Sequence, residues 1–376
     1  MPFGCRGKPA GKQTPHEQRT FLFRRASARA DCQSAIRNPQ FSELALKLFA
    51  LQFKCNPAYR KICEARRLTP EVVEHWTQIP AVPTAAFKEL ELTSLAPEER
   101  TAVFHSSGTT EQKPSRHFHN AESLAVYETA LWKWFQFHFG DAGELIFLTP
   151  NPKSAPRSSL VHMFETVRQK LHLPESAFTG TVSADGSWLV DFAATLQKLK
   201  IACDARTPTT LLGTAFSFVH LLDYLAENNL QFRLPQASRV METGGYKNRS
   251  RMMPKAELHA LITERLGVSR ENIICEYGMS ELSSQAYDCE IHPQSSIRNP
   301  RIFHFPPWSR VQIISPETGL EVADGATGLI RIFDLANVFS VMALQTEDLG
   351  IRRDEHFELI GRAQFAAPRG CSLMTA

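Results

Sequence analysis

Phe104-His105-Ser106-Ser107-Gly108-Thr109-Thr110-Glu111-Gln112-Lys113-Pro114-Ser115 gathers hydroxyls, one glycine and one lysine into a single short loop. An apolar lead-in, Ala102-Val103-Phe104, precedes it, and a helix-like run beginning near Asn120 follows. Such a loop suits a phosphate: N–H groups and hydroxyls converge on anionic oxygens, Gly108 lets the backbone come close, and Lys113 adds a point charge. The G-x-x-x-x-G-K-[ST] spacing of a P-loop is absent, which sets a Walker A reading aside. Taken alone, the loop reads equally well as a surface turn.

Two later stretches break that tie. Glu276-Tyr277-Gly278-Met279-Ser280-Glu281 follows the apolar run Asn272-Ile273-Ile274-Cys275. It therefore stands at the carboxyl end of an expected strand, where open α/β sheets hold ligands. Thr346-Glu347-Asp348-Leu349-Gly350 comes next, followed by Gly361-Arg362. Together with the Ser-Ser-Gly-Thr-Thr run, their order and spacing resemble the core motifs of the adenylate-forming (acyl-activating) superfamily. Within it the chain is most similar to LuxE-type acyl-protein synthetases, over roughly residues 40 to 376. The closing Arg369-Gly370-Cys371-Ser372-Leu373 resembles the cysteine motif of that family.

The resemblance implies an ATP- and Mg²⁺-dependent ligase that adenylates a long-chain fatty acid and passes it to a protein cysteine. It assigns Ser106, Ser107, Gly108, Thr109 and Thr110 to the β- and γ-phosphates, assisted by Lys113. It gives Glu281 to Mg²⁺, Ser280 to the α-phosphate, Tyr277 to stacking on adenine and Asp348 to the ribose hydroxyls. Arg362 would make a further ribose or phosphate contact or act as a hinge. Thr243-Gly244-Gly245, after an expected strand, would hold adenine, although a plain strand-to-helix turn fits these residues as well. His105 either orients the carboxylate or packs. Cys371 would be the nucleophile: a thiolate suits an acyl-adenylate, Arg369 favours it, and Gly370 frees the backbone. The acyl group would go on to a partner such as a fatty-acyl reductase or carrier.

The composition of the 376 residues agrees with a globular protein, 43% hydrophobic and 22% charged. A net charge of +3 gives no argument for nucleic acid or a membrane surface. No apolar run approaches the length of a transmembrane helix. The 8 cysteines form no C-x-x-C pair, which reads as reduced thiols in a cytoplasmic protein. Residues 1–38 are Arg-rich with no apolar period, as in a disordered tail, a targeting peptide or sequence upstream of the true start.

Beyond that tail, the pattern predicts an α/β core over residues 39–290, a β-rich subdomain over 291–362 and a tail over 363–376 that carries Cys371. The core is expected to be adenylate-forming-enzyme-like, with sheets flanked by helices. Phe41, Leu44, Leu48 and Leu51 predict a helix, Thr69-Pro70 a second helix start, and Asn120 the N-cap of a third. Further helices are expected over 160–171, 188–199 and 215–227, and strands over 144–149, 209–213 and 239–242. Phe216, Phe218 and Leu221 read as core or as an acyl slot.

Two departures from the resembled pattern stand out. Glu111 occupies a position where the superfamily usually has glycine, and only a short tail follows Arg362, with no room for a mobile lid domain bearing a catalytic lysine. Two other readings therefore stay open: an acid:CoA ligase resembling phenylacetate-activating enzymes, and a non-catalytic nucleotide-binding subunit.

Overall fold

The structure is a computed structural model that describes residues 38–106, 113–140, 143–244, 253–290 and 301–363. It opens with helices α1 (Asn38–Cys55) and α2 (Pro57–Ala65), then β1 (Val82–Pro83) and α3 (Ala86–Glu89). The hairpin β2 (Ala102–His105) and β3 (Arg116–His119) leads into α4 (Ala121–Phe139), β4 (Glu144–Phe147) and α5 (Ser159–Lys170). After the hairpin β5 (Gly180–Val182) and β6 (Trp188–Val190), helices alternate with strands. They are α6 (Phe192–Ala205), β7 (Thr209–Thr214), α7 (Ala215–Glu227), β8 (Arg239–Thr243), α8 (Lys255–Leu266) and β9 (Ile273–Tyr277). The remainder is strand: β10 (Ala286–Glu290), β11 (Arg301–His304), β12 (Ser309–Ile314), β13 (Thr327–Asp334), β14 (Ala343–Arg353) and β15 (His356–Arg362).

One mixed sheet of 11 strands joins both halves in the order β12-β13-β14-β15-β11-β10-β9-β8-β7-β4, with β1 alongside β14. β4, β7, β8 and β9 are parallel, as helical crossovers require. From β9 to β10 the direction reverses, and every pair from there to β12 is antiparallel. The β-rich segment thus continues the same hydrogen-bonded sheet. The carboxyl ends of β7, β8 and β9 are in step, with Thr214 opposite Thr243 and Thr243 opposite Glu276. They form a common rim at the switch in strand direction.

Helices α6, α7 and α8 cover one face of the parallel strands through Leu199, Leu221, Leu225, Leu258 and Ile262. Phe218 and Leu221 are fully buried there and belong to the core, whereas Phe216 is half-buried against His220. The other cluster joins α1, α4 and α5 to the antiparallel half. Gln52 fixes α1 to that half: its Nε2 donates to Asn337 O at 2.7 Å, and its Oε1 accepts from Met342 N at 3.0 Å.

Asn120 caps α4 as expected, accepting from Ser123 N. Two helix expectations fail. Thr69-Pro70 gives one turn only, because Gln78 Oε1 takes up the N–H groups of Glu74 and His75. Trp76 then turns inward between Phe41 and Phe333. The helix expected over residues 188–199 is split: Trp188–Val190 pairs with β5, and Asp191 starts α6 by accepting from Ala194 N. The aromatic and β-branched ends of that strand, followed by a capping aspartate, carry the signal.

Asp334 is a fully buried junction in the antiparallel half. It accepts from Ser284 Oγ at 2.8 Å, Ser309 Oγ at 3.1 Å, Ser283 N at 3.1 Å and Ala336 N at 2.9 Å. Asp334→Ala leaves these donors without their acceptor and is expected to cost about 3–5 kcal/mol. Urea unfolding checks this; a loss below about 1 kcal/mol contradicts it.

Candidate active site

β9 ends at Tyr277, and the chain turns through Gly278 toward Ser280 and Glu281. A Cβ on Gly278 would press on Glu276 Oε1, so a side chain there would force the buried Glu276 carboxylate to move. Tyr277 is buried with its ring edge-on to Phe303, Phe305 and Phe357. Its hydroxyl donates to Asp348 Oδ2 at 2.9 Å, which joins the first rim motif to β14. Asp348 is further held by its own N–H, which donates to Thr346 Oγ1 at 3.1 Å. Burial raises the Asp348 carboxyl above its ordinary range, and the Tyr277 hydrogen bond opposes that rise.

Ser280 connects the same turn to the hydroxyl-rich loop. Its Oγ donates to Glu281 Oε2 at 3.0 Å and lies 3.3 Å from Ser115 Oγ. Ser115 N donates to Ser106 Oγ at 3.0 Å, closing the base of the loop between β2 and β3. The carbonyl of Ser280 is 2.8 Å from His117 Nδ1. Burial lowers His117 to about 4, so at neutral pH the ring is uncharged and its Nδ1–H donates to that carbonyl. Glu281 is buried, and its carbonyl accepts from Asn337 Nδ2 at 2.9 Å.

The structure thus brings Ser106, Ser280, Glu281, Tyr277 and Asp348 to one rim. Gly244 stands at the carboxyl end of β8 with a φ of +72°, a conformation that favours glycine. Arg362 pairs with Asp348 in register, but its side chain is exposed and bound to Glu347 at 2.9 Å. Lys113 is exposed and engaged with Glu89 at 3.4 Å. His105 is half-buried, and its backbone N–H donates to Arg157 O at 2.9 Å. Burial, then the cations of Arg157 and Arg116, hold its imidazole below the ordinary range. Ser107, Gly108, Thr109, Thr110, Gly245 and Cys371 lie outside the described residues.

Sequence reading placed Ser115 in the loop without giving it a role and missed His117, Asn337, Arg116 and Arg157. The alternating Arg116-His117-Phe118-His119 strand was the available sign for Ser115 and His117, since every second residue of a strand shares a face. Asn337 carries no local sign.

Glu276, at the rim beside Thr243, is buried and accepts from Thr243 Oγ1. Burial raises its carboxyl to about 7. The folded chain therefore holds a proton that the unfolded chain has already released, and stability falls as pH rises through this window. Glu276→Gln removes that loss. The variant is expected to be more stable than the parent by about 2–3 kcal/mol near pH 8, with the gap shrinking below about 1 kcal/mol near pH 5. Denaturant titrations at the two pH values check it; a gap independent of pH contradicts the assignment.

The family described as acyl-protein synthetase, LuxE, matches residues 28–376. This chain belongs to the LuxE acyl-protein synthetase family. The match starts within the Arg-rich segment that composition sets apart. Among relatives of this LuxE-family chain is the long-chain-fatty-acid–luciferin-component ligase of Aliivibrio fischeri, 25% identical over 348 residues. The alignment covers 89% of this chain and 87% of that one. The Vibrio harveyi protein of the same name is 25% identical over 343 residues, covering 88% and 86%. Among solved structures, 2-hydroxyisobutyryl-CoA ligase in complex with 2-HIB-AMP is similar at a TM-score of 0.62 and 14% identity. That likeness spans 87% of this chain and 69% of the ligase, and it establishes an adenylate-forming fold.

Proposed function

We propose that this LuxE-family protein activates a long-chain fatty acid with ATP as an acyl-adenylate and transfers the acyl group to a cysteine thiol. The observation that carries this reading is the convergence of three distant motifs, through Ser115 to Ser280 and Tyr277 to Asp348, on one sheet rim. A carboxylate has a poor leaving group. In the first step a carboxylate oxygen attacks the α-phosphorus of ATP, the bond to the β-phosphate bridge breaks, and pyrophosphate departs. In the second, a thiolate attacks the acyl carbonyl, a C–S bond forms, the bond to AMP breaks, and AMP leaves.

These steps gather negative charge, so the protein's work is positioning and charge compensation. The loop closed by Ser106 and Ser115 binds the β- and γ-phosphates, with Ser107, Gly108, Thr109, Thr110 and Lys113 as its further donors. Ser280 donates to the α-phosphate. Asp348 binds the ribose, and its Oδ1 is the oxygen for that task because Oδ2 holds Tyr277. Gly244 and Gly245 flank adenine. Arg116 and Arg157, beside His105, supply cations near the reacting carboxylate, the part expected of a lid lysine. The Glu281 carboxylate, backed by the hydroxyls of Ser280 and Ser115, is an oxygen-only donor set that fits Mg²⁺, a hard ion favouring few carboxylates plus phosphate oxygens and water. When bound, Mg²⁺ would neutralise developing phosphoryl charge.

The acyl acceptor would be a partner protein such as a reductase or carrier, in the cytoplasm. No helix among the described residues is long and apolar enough to cross a membrane. Pyrophosphate exchange across a panel of acids tests the reading: label should return to ATP only with a carboxylate present, and best with long-chain acids. ATP binding without any acid-dependent exchange overturns it in favour of a non-catalytic subunit. Release of free acyl-CoA from added CoA instead supports an acid:CoA ligase.

A further inference from the structure

The face of β8 and β9 turned away from Thr243 and Glu276 carries donors that adenylation does not use. Glu242 and Cys275 are opposite each other in register, and α8 brings His259 over them. All three are buried. Glu242 Oε1 lies 3.0 Å from Cys275 Sγ and 3.4 Å from His259 Nε2, and Sγ lies 3.8 Å from Nε2. Tetrahedral zinc bound by one oxygen, one nitrogen and one sulfur has donor-to-donor edges of about 3.3–3.6 Å. The observed edges average about 3.4 Å, and shifts of a few tenths of an ångström, lengthening the Glu242–Cys275 edge and shortening the Cys275–His259 edge, would bring all three donors to that size.

The surrounding charges give a second, independent indication. Cys275 Sγ, His259 Nε2 and Lys255 Nζ all crowd Glu242 Oε1, the last at 3.0 Å. Among the described residues, the buried Glu242 Oε2 has no hydrogen-bond partner. A network built only for hydrogen bonding would share its donors between the two oxygens, since an orphaned buried carboxylate oxygen is costly. A cation held by Oε1 accounts for the asymmetry: Lys255, whose side chain is 44% exposed, then turns to Oε2. That same half-exposed side chain marks the way in from solvent. Arg301 Nη1, 3.8 Å from Cys275 Sγ, partly offsets the burial and the Glu242 and Asp288 carboxylates, which push the thiol up.

We propose that Glu242 Oε1, His259 Nε2 and Cys275 Sγ bind one divalent cation of the zinc class, bracing α8 against β8 and β9 beneath Gly244. Thiolate with imidazole selects zinc-like ions over Mg²⁺, so the site is distinct in chemistry from Glu281. The Cys275 thiol gives up its proton to solvent on binding, and the two anionic ligands neutralise the dication. Nothing in this site depends on the adenylation reading.

Cobalt is the probe. The full chain, stripped with a chelator and titrated with Co²⁺, should develop tetrahedral d–d bands and a thiolate charge-transfer band that saturate at one equivalent, with Zn²⁺ bleaching both. Cys275→Ser should remove the charge-transfer band, and His259→Gln should weaken affinity at least about tenfold. Zn²⁺ should raise the thermal midpoint of the parent and not of Cys275→Ser. An octahedral cobalt spectrum in the parent, or an unchanged charge-transfer band in Cys275→Ser, overturns the proposal. If Cys275→Ser fails to fold, X-ray absorption on the zinc-loaded parent decides, and a first shell without sulfur overturns it.

Discussion

Cys371→Ala is expected to separate the two half-reactions. Acid-dependent pyrophosphate exchange should persist at close to the parent rate, while hydroxylamine-labile acyl label on the protein falls at least about 100-fold. The expectation rests on reach as much as on chemistry. Ala363 is anchored at the rim, its N–H donating to Glu347 O at 2.8 Å one residue from Asp348. The stretch from Ala363 to Cys371 spans at most about 28 Å when extended, comparable with the whole width of a nucleotide site. Alanine is the sharper replacement, since serine leaves an oxygen nucleophile. Acyl label that survives in Cys371→Ala, measured with ATP, Mg²⁺ and labelled fatty acid, refutes the nucleophile assignment without touching the adenylation step.

Glu281→Gln carries the second large effect, a fall of about 10²–10³-fold in exchange. Glutamine keeps an acceptor for Ser280 Oγ, so the local hydrogen bond and the fold should survive. What disappears is the negative charge offered to Mg²⁺. The dependence on Mg²⁺ should therefore shift to higher concentrations, while the thermal midpoint of the ligand-free variant stays near that of the parent. An unchanged rate at limiting Mg²⁺ removes Glu281 from the metal site. A rate loss accompanied by unfolding is separated by the same thermal measurement.

That Ser106, Tyr277, Ser280, Glu281 and Asp348 would meet at one rim was legible because each motif follows or ends a strand with its own local signal, as was Asn120 for a helix start. β7, α7, β8 and β9 showed equally well, since their apolar runs lie within single short segments, whereas α8 went unpredicted and starts at Pro254 with no side-chain cap. What stayed hidden depends on distance along the chain. Ser115 and His117 act through Ser280, Asn337 holds the Glu281 carbonyl, and Glu242, His259 and Cys275 converge only after two strands and a helix are assembled. The continuation of one sheet from the parallel into the antiparallel half rests on the β9–β10 and β10–β11 pairings, and no residue pattern announces them. At Trp188 the failure was different: the capping sign at Asp191 was present, but the apolar residues on either side of it read as one run.

The bonds from Gln52 to Asn337 and Met342 have a consequence for synthesis on the ribosome. Leu92 and Thr93 are tied just as remotely, to Ser340 and Phe339. A further 285 residues beyond Gln52 must be translated before α1 meets its partner Asn337. Phe41 and Phe49 can meet Trp76 and Tyr59 early, but the face of α1 that packs on the antiparallel half waits, a stretch of nascent polypeptide that chaperones would shield and whose late docking slows maturation.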